Sequence, residues 1–184
     1  MLKKIFYKNK SNKKVISYSA QRWTQDEEFD PKWELRNKVI ASYINCPGIV
    51  ADFGCGKMTL ERYLKPHNVY LPIDFHRRDD RTIIFDVNHD PFPHINAAIA
   101  VCSGFLEYVE DIDRFVRGLE TCSFKEVIIS YCTTEHSPDL KIRQALNWVN
   151  HLSIFDILNL FLPTFNLSAI DDVNKNSIFV WLKK

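Results

Sequence analysis

Three aspartates, Asp52, Asp74 and Asp86, stand at or near the ends of short apolar runs in this sequence. Gly54 and Gly56 follow the first of them in a sharp turn, and glycines let a ligand approach the backbone closely. Asp74 lies about twenty residues beyond this turn, the spacing at which a carboxylate can accept hydrogen bonds from ribose hydroxyls. The pattern therefore predicts a site for a ligand that contains a ribose.

These carboxylates need secondary structure to bring them together. Residues 49–51 are predicted to form a buried strand, residues 57–64 an amphipathic helix, and residues 68–75 and 82–85 two further strands. A strand, a glycine turn and a helix in this order make half of a β-α-β unit. In open α/β sheets, ligands bind in the crevice outside the carboxyl ends of the strands. For the glycine turn alone, a plain tight connection is the alternative.

The segment from Val50 to Gly56 resembles the first motif of class I S-adenosylmethionine-dependent methyltransferases. Residues 97–109 are similar to the fourth strand of that family and the loop after it, and the resemblance runs from about residue 39 to the C-terminus. The sequence departs from the family at Met58, where a third glycine is usual. A narrower similarity is to small methyltransferases of bacterial surface-glycan gene clusters.

The resemblance implies an α/β, Rossmann-like fold. Its mostly parallel seven-stranded sheet would end in an antiparallel C-terminal hairpin strand, with helices on both faces. The remaining strands are predicted at residues 97–102, 126–131, 165–171 and 177–182, and the remaining helices at residues 31–45, 111–119, 140–149 and 153–161. The 184 residues are expected to form a single domain, with residues 1–45 as an N-terminal arm and helical cap and residues 46–184 as the core.

The resemblance also implies S-adenosyl-L-methionine as the cofactor. Asp74 would bind the ribose hydroxyls, Asp86 with the backbone of Val87 and Asn88 would bind adenine, and Asp52 would orient the glycine turn or the amino group. For Asp52 and Asp86, a purely local capping or turn role is the alternative. The predicted cofactor-binding set is Tyr18, Asp52, Gly54, Cys55, Gly56, Asp74, Phe75, Asp86, Val87, Asn88, Cys102 and Ser103.

Methyl transfer needs a general base only when the acceptor is a poor nucleophile, such as a hydroxyl. The candidates are Glu107, Glu135 and His136, with His136 first because histidine titrates near neutral pH. A solvated loop histidine is the alternative for His136, and His151 is expected to be structural. Residues 86–94 contain two histidines, but their irregular spacing predicts no metal site.

The composition and charge of the chain limit the kinds of binding partner that can be expected. The formal net charge is +1, which gives no electrostatic basis for nucleic-acid binding outside the lysine-rich residues 1–14. We find no apolar stretch of membrane-spanning length and no signal-peptide core, so a cytoplasmic protein with a small-molecule substrate is expected. The five cysteines form no C-x-x-C pair, which favours reduced thiols over disulfides or zinc.

Three functions are compatible with these observations. The first is a methyltransferase that acts on a small polar acceptor such as a sugar or glycan precursor. The second is a non-catalytic methyltransferase-like protein that binds a cofactor or partner. The third, a nucleotide-dependent oxidoreductase, is disfavoured because Thr59 stands where the G-x-G-x-x-G pattern requires glycine. The sequence leaves the acceptor and the oligomeric state open.

Overall fold

The computed structural model describes Trp23, Asp30 and residues 33–184 of the chain. The predictions for Tyr18, for the lysine-rich residues 1–14 and for the first residues of the helix at 31–45 concern positions outside this part.

A seven-stranded sheet forms the centre of the molecule. Its strands are β1 Gly48–Phe53, β2 Asn68–Asp74, β3 Ile83–Ile84, β4 Ile99–Ser103, β5 Glu126–Tyr131, β6 Phe165–Val173 and β7 Asn176–Lys183. Their order is β3-β2-β1-β4-β5-β7-β6, with β1 to β5 parallel and β7 antiparallel between β5 and β6. This confirms the predicted fold, including the antiparallel C-terminal hairpin.

Helices cover both faces of the sheet, which explains why its central strands are apolar on both sides. The helices of the described residues are α1 Trp33–Tyr43, α2 Ile112–Thr121, α3 Leu140–Ala145 and α4 Ile154–Phe161. On one face, Ile40 and Ile44 of the α1 region pack against Val50 and Val101. The opposite face buries a cluster of aromatic side chains: Phe53, Phe115, Phe124, Phe161, Phe165, Phe179 and Trp181.

The helix predicted at residues 57–64 is wrong, because only a short 3₁₀ helix forms, from Thr59 to Tyr63. Met58 has a left-handed backbone with φ of 55°, which no α-helix can include. Pro66 limits the other end, since the residue before a proline is disfavoured in helical conformation. Too few residues lie between these limits for a stable α-helix.

Two other elements are shorter than predicted. The helix expected at residues 140–149 ends at Ala145, and Asn147 beyond it has φ of 61°, a left-handed conformation typical of residues just past a helix. The strand expected at residues 82–85 keeps only Ile83 and Ile84. The strand at residues 126–131 has the predicted bounds.

All five cysteines are free thiols, and every one except the half-buried Cys46 is buried. Within the described part of the chain, every helix is too short or too polar to cross a membrane.

Candidate functional site

The carboxyl ends of the parallel strands open into a cavity of about 930 Å³. Ligand sites of small molecules and cofactors typically occupy about 300–1,000 Å³, so this space can hold a cofactor and a small second ligand. The predicted residues that line it are Asp52, Gly54, Cys55, Gly56, Asp74, Phe75, Asp86, Val87, Asn88, Ser103, Glu107 and His136. The sheet thus brings these residues to one edge.

The glycine turn after β1 lines the cavity, and the N–H groups of Gly54 and Cys55 donate to the carbonyl of Ile73 at 2.8 and 3.2 Å. Gly54 has φ of 69°, and a Cβ there would lie 2.5 Å from the ring of Phe105, so a side chain is excluded on two counts. The N–H of Gly56 donates to Asp74 Oδ2 at 3.0 Å and so ties the turn to the end of β2. Met58 keeps the left-handed backbone that a glycine would adopt most easily.

Asp74 lines the cavity, but its carboxylate is already engaged. Besides the Gly56 N–H, it accepts the backbone N–H of His76 at 3.0 Å. Arg78 donates from Nε to Oδ2 at 3.3 Å and from Nη2 to Oδ1 at 3.4 Å. The two Arg78 hydrogen bonds are the longest among these oxygen–nitrogen contacts, so a ligand hydroxyl would displace them most readily.

Asp52 lies at the bottom of the cavity with 3% of its surface exposed. The hydroxyl of Tyr70 on β2 donates to its Oδ2 at 2.7 Å. Burial raises the pKa of Asp52 to about 7, although the Tyr70 hydrogen bond acts in the opposite direction. Its charge is therefore sensitive to pH near neutrality.

The turn after β3 is held by its own side chains. The carboxylate of Asp86 accepts the Asn88 N–H at 3.1 Å and lies 3.0 Å from Nδ1 of His89. The side chain of Asn88 donates to the carbonyl of Tyr108 at 2.9 Å and accepts the N–H of Glu110 at 2.9 Å. The Asn88 N–H is therefore engaged by Asp86, and the Val87 carbonyl accepts a hydrogen bond from Nη2 of Arg114, although both residues line the cavity.

Glu107 lines the cavity from the 3₁₀ helix Leu106–Tyr108, which follows β4, and is 2% exposed. Its Oε1 accepts the N–H of Cys132 at 2.9 Å, whereas its buried Oε2 has no hydrogen bond within the described residues. Burial raises the pKa of Glu107, against the opposing effects of backbone N–H groups and of Arg36 and Arg143. A buried carboxylate oxygen with an open acceptor position is suited to a ligand hydroxyl or ammonium group.

His136 lies in the loop after β5, and its partners come from the C-terminal hairpin. Its Nε2 lies 2.9 Å from Asp172 Oδ1 and 3.1 Å from Ser177 Oγ, while the Ser177 hydroxyl donates to the same Asp172 oxygen at 2.8 Å. In the neutral tautomer with the proton on Nε2, the Nε2–H group donates a hydrogen bond to Asp172 and Nδ1 remains a hydrogen-bond acceptor.

Two predicted site residues do not line the cavity. Cys102 is fully buried in the core between the sheet and α2, because its position on β4 faces that layer rather than the strand end. The carboxylate of Glu135 accepts the Ile154 N–H at 3.1 and 3.2 Å and so caps the start of α4. His151 accepts a hydrogen bond from Nε of Arg143 at 3.1 Å, in line with its expected structural role.

Sequence reasoning missed several cavity residues. Arg36 on α1 lines the cavity, although no residue of the helix predicted at 31–45 was assigned to the site. Arg36 lies three residues after Trp33 and four before Ile40, which places it on the apolar face of the helix. A charged residue on that face was the sequence feature that could have indicated a functional role. Aromatic residues also line the cavity: the Trp23 ring lies 5.8 Å from Trp33 and 5.4 Å from Tyr108, and Trp148 Nε1 donates to the Tyr108 hydroxyl at 3.2 Å.

The strand order and a cavity at the carboxyl ends of the parallel strands define the class I S-adenosylmethionine-dependent methyltransferase fold. The family resemblance predicted from the sequence is thereby confirmed at the level of the fold. No protein-family model matches the sequence, and no curated protein is a significant match to it.

Three similar solved structures illustrate the range of this fold. A chain from the complex of the Haloferax volcanii Trm112 methyltransferase activator with a methyltransferase has a TM-score of 0.69 at 12% identity, over 91% of this chain and 97% of that one. The N-methyltransferase NodS from Bradyrhizobium japonicum WM9, with bound S-adenosyl-L-homocysteine, has a TM-score of 0.65 at 8% identity, over 91% and 97%. A third structure is the 1,6-didemethyltoxoflavin-N1-methyltransferase of Burkholderia thailandensis with bound 1,6-didemethyltoxoflavin and S-adenosylhomocysteine. It has a TM-score of 0.63 at 10% identity, over 88% of this chain and 80% of that one.

Proposed function

We propose that this protein is an S-adenosylmethionine-dependent methyltransferase that acts on a small polar acceptor such as a sugar or glycan precursor. The observation that supports this most is the row of groups along one sheet edge. The Asp86 turn and Asp74 lie at β3 and β2, the bare glycine turn at β1, and Glu107 beyond β4. This order suits a nucleoside at one end of the cavity and a charged amino-acid group near its middle.

The residues present fit this cofactor. Gly54 lines the cavity and has no side chain of its own, so its backbone can approach a ligand closely. Ribose hydroxyls would replace the two long hydrogen bonds from Arg78 to Asp74. Asp52, ionised above a pKa of about 7, can accept a hydrogen bond from an ammonium group near the turn. Phe75 and Val87, which also line the cavity, offer apolar surface to an adenine ring.

When bound, S-adenosylmethionine supplies a methyl group that its sulfonium has already activated. The protein therefore has mainly to align an acceptor and exclude water. Trp33, Tyr108 and Trp148 present flat apolar surfaces to the acceptor half of the cavity, and Glu107 Oε2 offers a buried hydrogen-bond acceptor. Flat apolar faces together with a few fixed polar groups suit a ring that carries hydroxyls.

For a hydroxyl acceptor, His136 is the proposed general base. Asp172 and Ser177 hold its Nε2, so Nδ1 can take the proton from the acceptor. We expect His136→Ala to lower turnover by about 10²–10⁴-fold, the usual contribution of a general base. Binding of S-adenosylhomocysteine should change little, because the histidine would contact the acceptor. Single-turnover assays on the identified acceptor test this, and equal rates in the two proteins would remove His136 from catalysis.

Calorimetry tests the cofactor part of the proposal without knowledge of the acceptor. S-adenosylhomocysteine should bind with a measurable affinity, and NAD should not bind comparably. Tight NAD binding with no response to S-adenosylhomocysteine would reject the proposal in favour of an oxidoreductase. Cofactor binding without methylation of a panel of sugars and sugar nucleotides would favour the non-catalytic alternative or a different acceptor class.

A further inference from the structure

One buried cation of the cavity has no part in the function proposed above. Arg36 on α1 is 8% exposed, and its guanidinium lines the cavity beside Ser103 and Gly104 at the end of β4. It fits there only because residue 104 is glycine, since a Cβ at that position would lie 2.7–2.9 Å from its Nη and Cζ atoms. The fold thus leaves room for a charged group at a central point of the sheet edge.

The hydrogen bonds of Arg36 are few for a buried guanidinium, and two of the three are long. Nε donates to Ser103 Oγ at 3.0 Å, Nη2 to the Ser103 carbonyl at 3.4 Å and Nη1 to Asn176 Oδ1 at 3.4 Å. The group also lies over the Trp33 ring at 5.6 Å. A guanidinium has five N–H donors, so two of them have no acceptor among the described residues.

A second buried arginine shows how such a group is satisfied when its role is structural. Arg143 is 1% exposed, and its three nitrogens donate to six acceptors. Four of these acceptors are backbone carbonyls, in a loop that the arginine holds together. Arg36 has half as many partners.

Charge balance at Arg36 is also incomplete. Within the described residues, no carboxylate lies within ion-pair distance of its guanidinium. Burial lowers the pKa of Arg36, and the more distant Glu107, Tyr108 and Asp52 oppose this only in part. A buried charge without an opposite charge is costly, and an anionic ligand would remove that cost.

We propose that Arg36 binds a carboxylate group of a ligand in this cavity, an inference that rests on the proposed function. Because Phe53 on β1 pairs with Cys102 on β4, the residues that follow them, Gly54 and Ser103, lie side by side. Arg36 therefore lies where the cofactor half of the cavity meets the acceptor half. The carboxylate has two possible sources, the methionine end of the cofactor and an acid group on the acceptor.

Calorimetry with two nucleosides separates these sources. S-adenosylhomocysteine has the amino-acid carboxylate, and 5′-methylthioadenosine lacks the amino-acid end. If the carboxylate is the cofactor's, Arg36→Met should weaken S-adenosylhomocysteine binding about 10- to 100-fold, the range of a charge-assisted pair. Binding of 5′-methylthioadenosine should stay within about twofold. The matched control is Arg117→Met, because Arg117 is exposed on α2 and lies outside the cavity, so both nucleosides should bind it as they bind the wild type.

A second measurement tests the acceptor as the source. With S-adenosylhomocysteine at saturation, sodium acetate should raise the unfolding temperature of the wild type more than sodium chloride of equal ionic strength. Arg36→Met should abolish that difference. This outcome, with unchanged nucleoside affinities, would assign the carboxylate to the acceptor.

The stability of the ligand-free variant separates this proposal from a structural role. Removing a buried charge without an opposite charge should leave the unfolding temperature of Arg36→Met unchanged or higher. A lower unfolding temperature together with equal losses of both nucleosides would overturn the proposal. The proposal would also be overturned if Arg36→Met bound both nucleosides with unchanged affinity and acetate stabilised the wild type no more than chloride does. If the wild type binds neither nucleoside, the proposed function itself fails.

Discussion

Asp74 is the residue on which the nucleoside part of the proposed site depends. We predict that Asp74→Asn lowers S-adenosylhomocysteine affinity at least about tenfold, because charge-assisted hydrogen bonds contribute roughly 1.5–3 kcal/mol each. Stability should fall as well, since the Arg78 guanidinium, with a side chain only 9% exposed, loses the carboxylate beside it. Calorimetry below the unfolding temperature of the variant checks the affinity.

Asp80→Asn is the matched control for this substitution, because Asp80 is exposed, lies outside the helices and does not line the cavity. It should change neither the affinity nor the stability. A folded Asp74→Asn protein with wild-type affinity would show that the ribose lies elsewhere.

Asp52 should make stability fall as pH rises. Burial raises its pKa from 3.8 to about 7 in the folded state, so folding favours the protonated form. Its contribution is fully present below the unfolded pKa and is lost as pH rises through about 7. At 1.36 kcal/mol per pKa unit, the loss between pH 5 and pH 8 is roughly 2–3 kcal/mol.

Urea denaturation at both pH values checks this term. The free energy of unfolding of Asp52→Asn should lack the contribution, and the Asn side chain can still accept the Tyr70 hydrogen bond. The difference between wild type and variant should therefore change with pH by that amount, whereas Asp80→Asn, at an exposed position, should show no such change. A pH-independent difference for Asp52→Asn would contradict the assignment.

At the scale of elements, Glu135 lies at the start of α4 and does not line the cavity. The Ser153 side chain accepts the Asp156 N–H in a capping box, and Glu135 accepts the Ile154 N–H two residues earlier in the helix. Although burial acts to raise it, hydrogen bonds from its own backbone, Thr133 and Ile154 lower the pKa of Glu135. Its carboxylate therefore stabilises the helix end in its charged form.

We predict that Glu135→Ala and Ser153→Ala each lower the free energy of unfolding by about 1 kcal/mol, the usual effect of losing a helix cap. Neither change should alter the affinity for S-adenosylhomocysteine, because both side chains lie outside the cavity. Thermal unfolding and calorimetry on the same samples measure the two effects. Ser168→Ala, at an exposed position of β6, is the control. Loss of affinity in Glu135→Ala with unchanged stability would restore Glu135 to the site.

Part of the fold and of the candidate site could be predicted from the sequence. The strands and the sheet edge that gathers Asp52, Asp74 and Glu107 follow from apolar periodicity and local chemistry. The prediction of a helix at residues 57–64 was wrong because the spacing of apolar residues carries no information on the left-handed backbone of Met58.

Contacts between distant parts of the chain could not be predicted. Asp172 reaches His136 from the C-terminal hairpin, 36 positions away, and Arg36 reaches Ser103 over 67. Such pairs depend on how the hairpin and α1 dock on the sheet, and no local pattern encodes that.

At the scale of the whole molecule, the cavity gathers groups from both ends of the described chain. Trp33 and Arg36 come from α1, the acids from β1 to β3, and Asn176 from the last hairpin. A ligand that fills this space would contact elements that separate on unfolding, so it binds the folded state alone. A ligand at free concentration L then stabilises the fold by RT ln(1 + L/Kd).

We therefore predict that S-adenosylhomocysteine at about 100 times its dissociation constant raises the unfolding temperature by about 5–10 °C. The stabilisation is about 2.7 kcal/mol at that concentration, and each kcal/mol shifts the midpoint of a protein of this size by about 2–4 °C. Differential scanning fluorimetry measures the shift. NAD at the same concentration should give none, and Asp74→Asn should need at least about ten times more S-adenosylhomocysteine for the same shift. An equal response to NAD and to S-adenosylhomocysteine would mean that the cavity recognises adenosine alone, and the amino-acid end of the cofactor would then have no bound position beside Gly54 and Arg36.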